Sequence, residues 1–495
     1  VTAQRADVII AGGGPSGSVL AWELARNGVS VTLLDRARFP REKVCGDYVE
    51  PRGLRILQEM GCLVELERAR PLPIEHTSIF SDWECRFSGP IPFYGLIDGL
   101  PPHGYVIPRS TLDATMLATA ARAGASVHEQ TTITATVAGA TGVEVHAENG
   151  GRTRRYRARL VVGADGVNSV VARSQGLSTA DPRRTLIARR AYALTAADRR
   201  ENAIFFDEQL FPGYGWVFPL GDGRVNLGVG ILSETRRRFG VQLPRLFEQF
   251  LARLRRHHPT GVGLQLCAQP IGGIVKTYAS AGANHFDGGL LIGDAGCFAD
   301  PVTGEGITPG MESALIAAPV IEGALREGRF GTRQLAGYES AFRRYFDPAM
   351  LYLDFTAGAL RNRHLARPWL KAFARGCELA QGDARFTRTV ASFFGGQDVR
   401  GYDILGAIAA RVLEDVLLTW PRFFSALAGT RPPSRATSPA DLLEWQWALS
   451  RSALSDPRWH AAWMIDMQRQ WTRLLATPRA GASDPRAGGL LATRP

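Results

Sequence analysis

Two glycine-rich turns and an acidic residue between them carry the first residues with chemistry to offer. Gly12-Gly13-Gly14-Pro15-Ser16-Gly17 fits the spacing G-x-G-x-x-G directly after the apolar run Asp7 to Ala11. Glycines so placed let the backbone approach a pyrophosphate, and the helix that opens there meets its charge with a positive dipole end. Gly12, Gly14, Ser16 and Gly17 are therefore candidate phosphate-side residues. Asp35 closes a second apolar run 18 positions after Gly17, where a carboxylate can accept from ribose hydroxyls, and Arg36 beside it joins the candidate set. The plainer reading of Asp35 is a solvated residue capping a turn. Gly163-Ala164-Asp165-Gly166-Val167-Asn168-Ser169, followed by Arg173, again leaves a buried strand for a helix start, which brings Asp165 towards a bound dinucleotide. It could equally be a plain strand-to-helix connection.

A third turn sharpens the ligand. Gly293-Asp294-Ala295-Gly296-Cys297-Phe298-Ala299-Asp300-Pro301 continues into Gly304-Glu305-Gly306-Ile307. A carboxylate at the end of a buried strand, then glycines before a helix, suits a ribityl hydroxyl on Asp294 and a polar ring edge on the N–H groups at Gly304, Gly306 and Ile307. Together the three turns point to FAD.

These turns need a frame. Asp7 to Ala11 and Val31 to Leu34 lie a helix length apart and read as a βαβ start. Val143 to His146 and Tyr156 to Val161 read as an antiparallel meander, with further strands at Tyr214 to Pro219 and Val225 to Ile231. Parallel-sheet character returns at Gly289 to Ile292, and Ile307 to Arg326 is helical. Beyond Phe346 the spacing of Leu, Phe and Trp is helical nearly to the end, broken by a loop at Thr430 to Pro439. The expected fold is α/β: a Rossmann-like FAD-binding domain (1–75, 104–185, 276–345) interleaved with an antiparallel β-sheet substrate domain (76–103, 186–275). A C-terminal helical extension (346–476) and a tail expected to be disordered (477–495) complete it.

Composition narrows the class. A chain of 495 residues with 45% hydrophobic and 21% charged content suits a globular protein of more than one domain. No apolar stretch is long enough to span a bilayer, and no secretory signal precedes the first strand, so a cytoplasmic location is expected. The six cysteines form no C-x-x-C pair, which argues against a zinc site or a disulfide framework, and no metal is expected. The net charge of +11 comes almost wholly from scattered arginine, with lysine only at Lys43, Lys276 and Lys371, so no nucleic-acid partner is expected. Oligomeric state is not legible.

From Ala6 to Arg344 the chain resembles the flavoproteins of para-hydroxybenzoate-hydroxylase fold and, within them, the geranylgeranyl reductase family. The resemblance implies FAD stretched across the Rossmann-like domain, with the flavin ring at the boundary to the substrate sheet. Arg41-Glu42-Lys43-Val44-Cys45-Gly46-Asp47 is similar to the family's cysteine-glycine loop beside the flavin, which makes Cys45 a candidate catalytic residue. Tyr214-Gly215-Trp216-Val217-Phe218-Pro219 looks like its Y-x-W-x-F-P cavity strand, and Arg109 matches a position near the cofactor. Strand alternation sends Tyr214, Trp216 and Phe218 to one face, as one wall of an apolar pocket, and Tyr214 and Trp216 join Cys45 as catalytic candidates. The plainer readings are a small packing residue for Cys45 and ordinary core for Trp216. The Cys297-Phe298-Ala299-Asp300-Pro301 run also resembles flavin-dependent halogenases. However, Tyr214 takes the first position of their two-tryptophan motif, and their catalytic lysine is not evident. Aromatic hydroxylases of this superfamily usually carry His at Cys297 and Asn at Thr308.

One set of motifs serves three chemistries on a hydrophobic isoprenoid or polyketide-like partner, because the flavin supplies the reactivity and the protein the orientation. They are alkene reduction, with NADPH or NADH as candidate reductant and a proton from Cys45 or water; monooxygenation; and non-redox cyclisation of a polyene around a structural flavin.

Overall fold

The computed structural model describes residues 4–90, 100–139, 142–177, 181–278, 283–382 and 439–476. The expected tail and residues 430–438 of the expected loop lie outside this set; Pro439 opens a helix, Pro439–Ser455.

The strand Gln4–Ala11 is apolar at successive positions because it is covered on both sides. Val8 and Ile10 share a core with Leu20, Leu24 and Leu315, while Ile9 and Ala11 pack with Val145 and Val161. Its sheet runs His285–Phe286, Gly289–Leu291, Arg152–Gly163, Gln4–Ala11, Val31–Leu34, Ser126–His128. The strand Gly289–Leu291 and the four after it in that order are parallel neighbours, with Val8 opposite both Leu160 and Val31. Tyr156 to Val161, expected in an antiparallel meander, serves two partners. The strand Arg152–Gly163 pairs antiparallel with Gly142–Asn149 through its exposed first half and parallel with Gln4–Ala11. Its last residues, Leu160 to Gly163, are buried, as a central parallel strand requires.

The second sheet is ordered Gln265–Leu266, Thr185–Leu194, Arg224–Leu232, Tyr214–Pro219, Glu201–Phe206, His76–Ser81, Glu84–Pro90, with Ile271–Lys276 paired to Thr185–Leu194. It is antiparallel apart from one parallel pair, His76–Ser81 with Glu201–Phe206. Phe247, Phe250 and Leu254 of the helix Leu243–His257 cover one face by packing on Phe205, Val217 and Leu227.

The sequence pattern places a boundary at Phe346, but the helix Thr332–Leu360 runs through it without a break. Its first half packs Tyr338 and Phe342 into the core of the nucleotide-type sheet. Its second half is fixed by buried charge pairs. Arg184 grips Asp354 through two hydrogen bonds of 2.9 and 3.0 Å, Gln470 donates to the same carboxylate at 3.0 Å, and Arg361 pairs with Asp466. The helix Pro457–Ala476, which carries Asp466 and Gln470, is thereby bound to the rest of the molecule.

The tightest constraint lies at the first glycine turn. A Cβ on Gly17 would sit 1.9 Å from the Gly12 carbonyl oxygen, and one on Gly12, at φ +102°, 2.4 Å from the Ala164 carbonyl oxygen. We expect Gly17→Ala to lower the thermal midpoint of the cofactor-free protein, since such overpacking costs about 1–3 kcal/mol or more. Gly337→Ala, at an exposed helical position with nothing within 4 Å, should instead raise it, through a gain in stability of up to about 1 kcal/mol. Differential scanning calorimetry on both variants checks the contrast, and equal midpoints would refute it.

Candidate active site

The first turn is built as a cradle. The helix Pro15–Arg26 starts with Gly14 as its N-cap and Pro15 at its first position, so its leading N–H groups have no side-chain cap and point outwards. Asp35 fixes the turn from below by accepting the Gly13 amide at 2.7 Å and the Ala37 amide at 2.7 Å. Each oxygen keeps a lone pair for a further donor. Arg36 is exposed. A Cβ on Gly14 would meet only Arg41 Nη2 at 3.6 Å and Arg109 Nη2 at 3.9 Å. The space above Gly14 is therefore open, faced by two guanidiniums and a helix N-terminus, and fits a pyrophosphate. Both guanidiniums are held by buried Asp113, Arg109 through bonds of 2.7 and 2.8 Å and Arg41 at 3.0 Å.

The other turns close round the same space. Ser16 sits between Gly293 and Gly310, where a Cβ would approach its hydroxyl to 2.3 and 2.5 Å. Asp294 accepts from Lys43 Nζ at 2.9 Å. Burial raises this carboxyl, but the charge and hydrogen bond of Lys43, with Arg109 behind, outweigh it and hold Asp294 below the usual carboxylate range. Gly304, at φ +70°, and Gly306, the N-cap of the helix Ile307–Glu327, bring the leading amides of that helix to the cavity. Tyr214 ties this loop to the second sheet by donating its hydroxyl to the Thr303 carbonyl.

Asp165 is engaged within its own turn. Its carboxylate turns back into its own loop, accepting the Val170 amide at 2.6 Å and the Val171 amide at 3.3 Å. It does not line the cavity; its neighbours Ala164 and Gly166 do. A helix start offers the carboxylate unpaired N–H groups closer than any ligand, so Asp165 shapes the turn.

The cavity encloses about 270 Å³ and runs from Gly14, Ser16 and Asp294 to the second sheet. Tyr214, Trp216 and Phe218 form one wall, with ring centroids 6.0 and 6.4 Å apart along the strand. Gly230 and Gly228 face Tyr214 and Trp216 across the strands and leave room for the rings; a Cβ on Gly228 would lie 2.3 Å from the indole. Leu186, Ile204, Phe206 and Leu232 continue the apolar lining, and Met350, Leu353, Ala357 and Leu360 of the long helix close the far side.

Cys45 is placed beside Arg109 and the aromatic strand. Burial pushes its thiol up, against the Arg109 charge, so it is held as a neutral thiol. Its loop is fastened by residues to which no role was assigned. Asn226 Nδ2 donates to the Cys45 carbonyl and to Asp47, both at 2.8 Å, and its Oδ1 accepts the Trp216 indole N–H at 3.0 Å. Asp47, at φ +63°, also accepts from the Tyr192 hydroxyl, and burial pushes its carboxyl up to about 6. Arg190 stacks on Tyr192 with its guanidinium 4.2 Å from the ring centre and bonds Glu42 and the Lys43 carbonyl. A single amide thus sets the positions of both the cysteine loop and the tryptophan.

Among the described residues no cluster has the makings of a metal site, and no helix is long and apolar enough to cross a membrane. The FAD binding domain family matches residues 5–345. A menaquinone reductase of Mycolicibacterium smegmatis is 33% identical over 332 residues, covering 64% of this chain and 76% of the relative. Digeranylgeranylglycerophospholipid reductase 2 of Methanosphaera stadtmanae is 28% identical, covering 68% and 82%. The solved structure of a geranylgeranyl bacteriochlorophyll reductase-like protein from Thermoplasma acidophilum shares the fold, with TM-score 0.64 and 23% identity over 73% of this chain and 88% of that one. With the glycine turns, the Gly14 cradle and Asp294 disposed round one cavity, the chain belongs to the FAD-dependent oxidoreductases of the geranylgeranyl reductase family, and it is an enzyme.

Proposed function

We propose that the enzyme reduces a carbon–carbon double bond in a hydrophobic, isoprenoid-type molecule, with NADPH or NADH as the electron source. One observation carries this reading: a single cavity joins the cofactor cradle at Gly14 and Asp294 to an apolar chamber ending at Leu353 and Leu360. The names of its relatives, reductases of a quinone and of a geranylgeranyl lipid, agree with such a chamber. On this reading residues 1–75, 104–185 and 276–345 hold the cofactor, residues 76–103 and 186–275 supply the substrate sheet, and the helix Thr332–Leu360 adds a wall from the extension.

FAD, when bound, supplies two-electron transfer; the chain supplies orientation and exclusion of water. Gly14 and Ser16 at the helix N-terminus would receive the pyrophosphate, with Gly12 and Gly17 giving the close packing that aims the helix; Asp35 would receive the ribose, and Asp294 a ribityl hydroxyl alongside Lys43. The amides at Gly306 and Ile307 would face the polar edge of the ring, while Gly304, whose own amide is given to the Asp300 carbonyl, shapes the loop that presents them. Tyr214, Trp216 and Phe218 press the substrate into place, and Cys45, as a neutral thiol, packs beside it.

Anaerobic mixing tests the reading: NADPH or NADH should bleach the yellow protein, and geranylgeraniol should restore the colour with loss of one double bond. Turnover that requires oxygen, or turnover without bleaching, would replace reduction by monooxygenation or by cyclisation. Gly14→Val should fold, since a Cβ there meets only the ends of two arginine side chains, yet lose FAD; a normal flavin content at an unchanged melting temperature would remove the pyrophosphate from this turn. Trp216→Ala should keep FAD and lose turnover by about 100-fold, because small misplacements of reacting groups have that effect. A destabilised but fully active variant would return Trp216 to the core.

A further inference from the structure

Beside the 300–306 loop the cavity wall holds more carboxyls than cations. Glu50, Asp300 and Glu305 line it, and Glu312 is buried against the same guanidinium. Arg52 donates to Glu50 at 2.7 Å and to Glu312 at 3.0 Å, and the Tyr345 hydroxyl donates to Glu312 at 2.8 Å. Glu305 accepts the Thr308 amide at 2.9 Å, and Asp300 accepts the amides of Val302 and Thr303 at 2.6 and 2.8 Å. Arg52 is the cation that acts on Glu50, Asp300 and Glu305 alike.

Glu50, Asp300 and Glu305 round one guanidinium in a site largely screened from water cannot all be ionised near neutrality, and their protons belong to the group as a whole. Burial, then Arg52 opposing and Glu312 adding, leaves Glu50 pushed up to about 7. Burial and the neighbouring Glu50 push Glu305 well above the carboxylate range. The other groups on this cavity are accounted for. Tyr48 and Tyr214 have their phenols pushed up by burial and, further, by Glu305 among others, so they stay neutral. Lys43, Arg109 and Asp294 also line the cavity, where Lys43 and Asp294 are paired and Arg109 is held by Asp113; Cys45 and Asp47 line it too.

We propose that Glu50 and Glu305, with Arg52 between carboxylates, form a proton store that loads when the flavin is reduced. This rests on the FAD reading above. Gly306, next to Glu305, lies within 3.2 Å of Asp294 at the position of a Cβ, so the store borders the place assigned to the flavin. Two electrons and one proton taken up by the ring leave one added negative charge. One carboxylate of the cluster then binds a second proton from solvent, which restores the balance of charge and keeps an acidic O–H at the wall of the substrate chamber.

The test needs no substrate. The midpoint potential of the FAD-loaded protein is followed by dye equilibration from pH 8 to 9, where Glu50 has lost most of its proton before reduction. For a two-electron couple each proton taken up shifts the potential by about 30 mV per pH unit, the tenfold step of such a couple. The wild type should fall by about 59 mV per unit, and Glu50→Gln/Glu305→Gln by about 30. A wild-type slope of 30, or a double variant that keeps 59, overturns the proposal. If the double variant does not fold, uptake of two protons by the wild type on photoreduction, read with a pH-indicator dye, supports the store, provided Glu305→Gln alone lowers the count. One proton in the wild type, or an unchanged count in Glu305→Gln, refutes it. A wild-type protein that retains no FAD would instead refute the cofactor reading.

Discussion

The molecule depends on how closely three backbones can approach one another at Gly12. The strand Gln4–Ala11, the helix Pro15–Arg26 and the turn after Gly163 meet where the Gly12 carbonyl faces Gly17 and the Ala164 carbonyl faces Gly12. No side chain fits at either contact, so the helix is held hard against the sheet with its N-terminus aimed at one spot. Asp35 completes the arrangement through the Gly13 amide, and the two arginines held by Asp113 give the spot its charge. The cofactor cradle is thus a by-product of close packing, and a ligand need only match a shape that the apoprotein already has.

From there the site grows outward through contacts between distant parts of the chain. Lys43 reaches Asp294, Asn226 reaches Asp47 across 179 positions, and Tyr214 holds the loop at Thr303. The first closes the nucleotide-type side on itself, the other two join it to the second sheet, and the cavity is the space that these ties leave between them. Its two ends differ in kind: paired charges and helix N-termini on one side, aliphatic and aromatic side chains on the other. A molecule that is mostly apolar with one reactive bond is the guest that such a gradient orients.

What the sequence revealed of this follows from which constraints are local. The glycine spacing, Asp35 and the buried runs were legible because each is fixed within a few residues by backbone geometry. The alternation of Tyr214, Trp216 and Phe218 was legible because a strand repeats every two residues. Asp165 was left open because the same Asp-Gly turn serves a ligand or a helix start equally well, and the structure shows one of its oxygens given to the helix start. Asn226, Tyr192 and Arg190 gave no signal, and Asp47 entered only as the end of the cysteine-glycine loop, since nothing local distinguishes a polar residue that closes a network from one that faces water. Glu305 stood within a quoted motif, but its meaning depends on Glu50, Arg52 and Glu312, which fold alone brings together.

The helix Thr332–Leu360 gives the architecture a mechanical property. At 29 residues it is a rod of about 43 Å. One half is embedded in the cofactor-side core, and the other, gripped by Arg184 and through Arg361, forms a wall of the chamber. Pro348 interrupts its hydrogen-bond ladder between these two halves, which makes the proline the place where the helix can bend. A rearrangement at the C-terminal helices is therefore delivered to the substrate wall through the half that follows Pro348, while Tyr338 and Phe342 stay seated in the core.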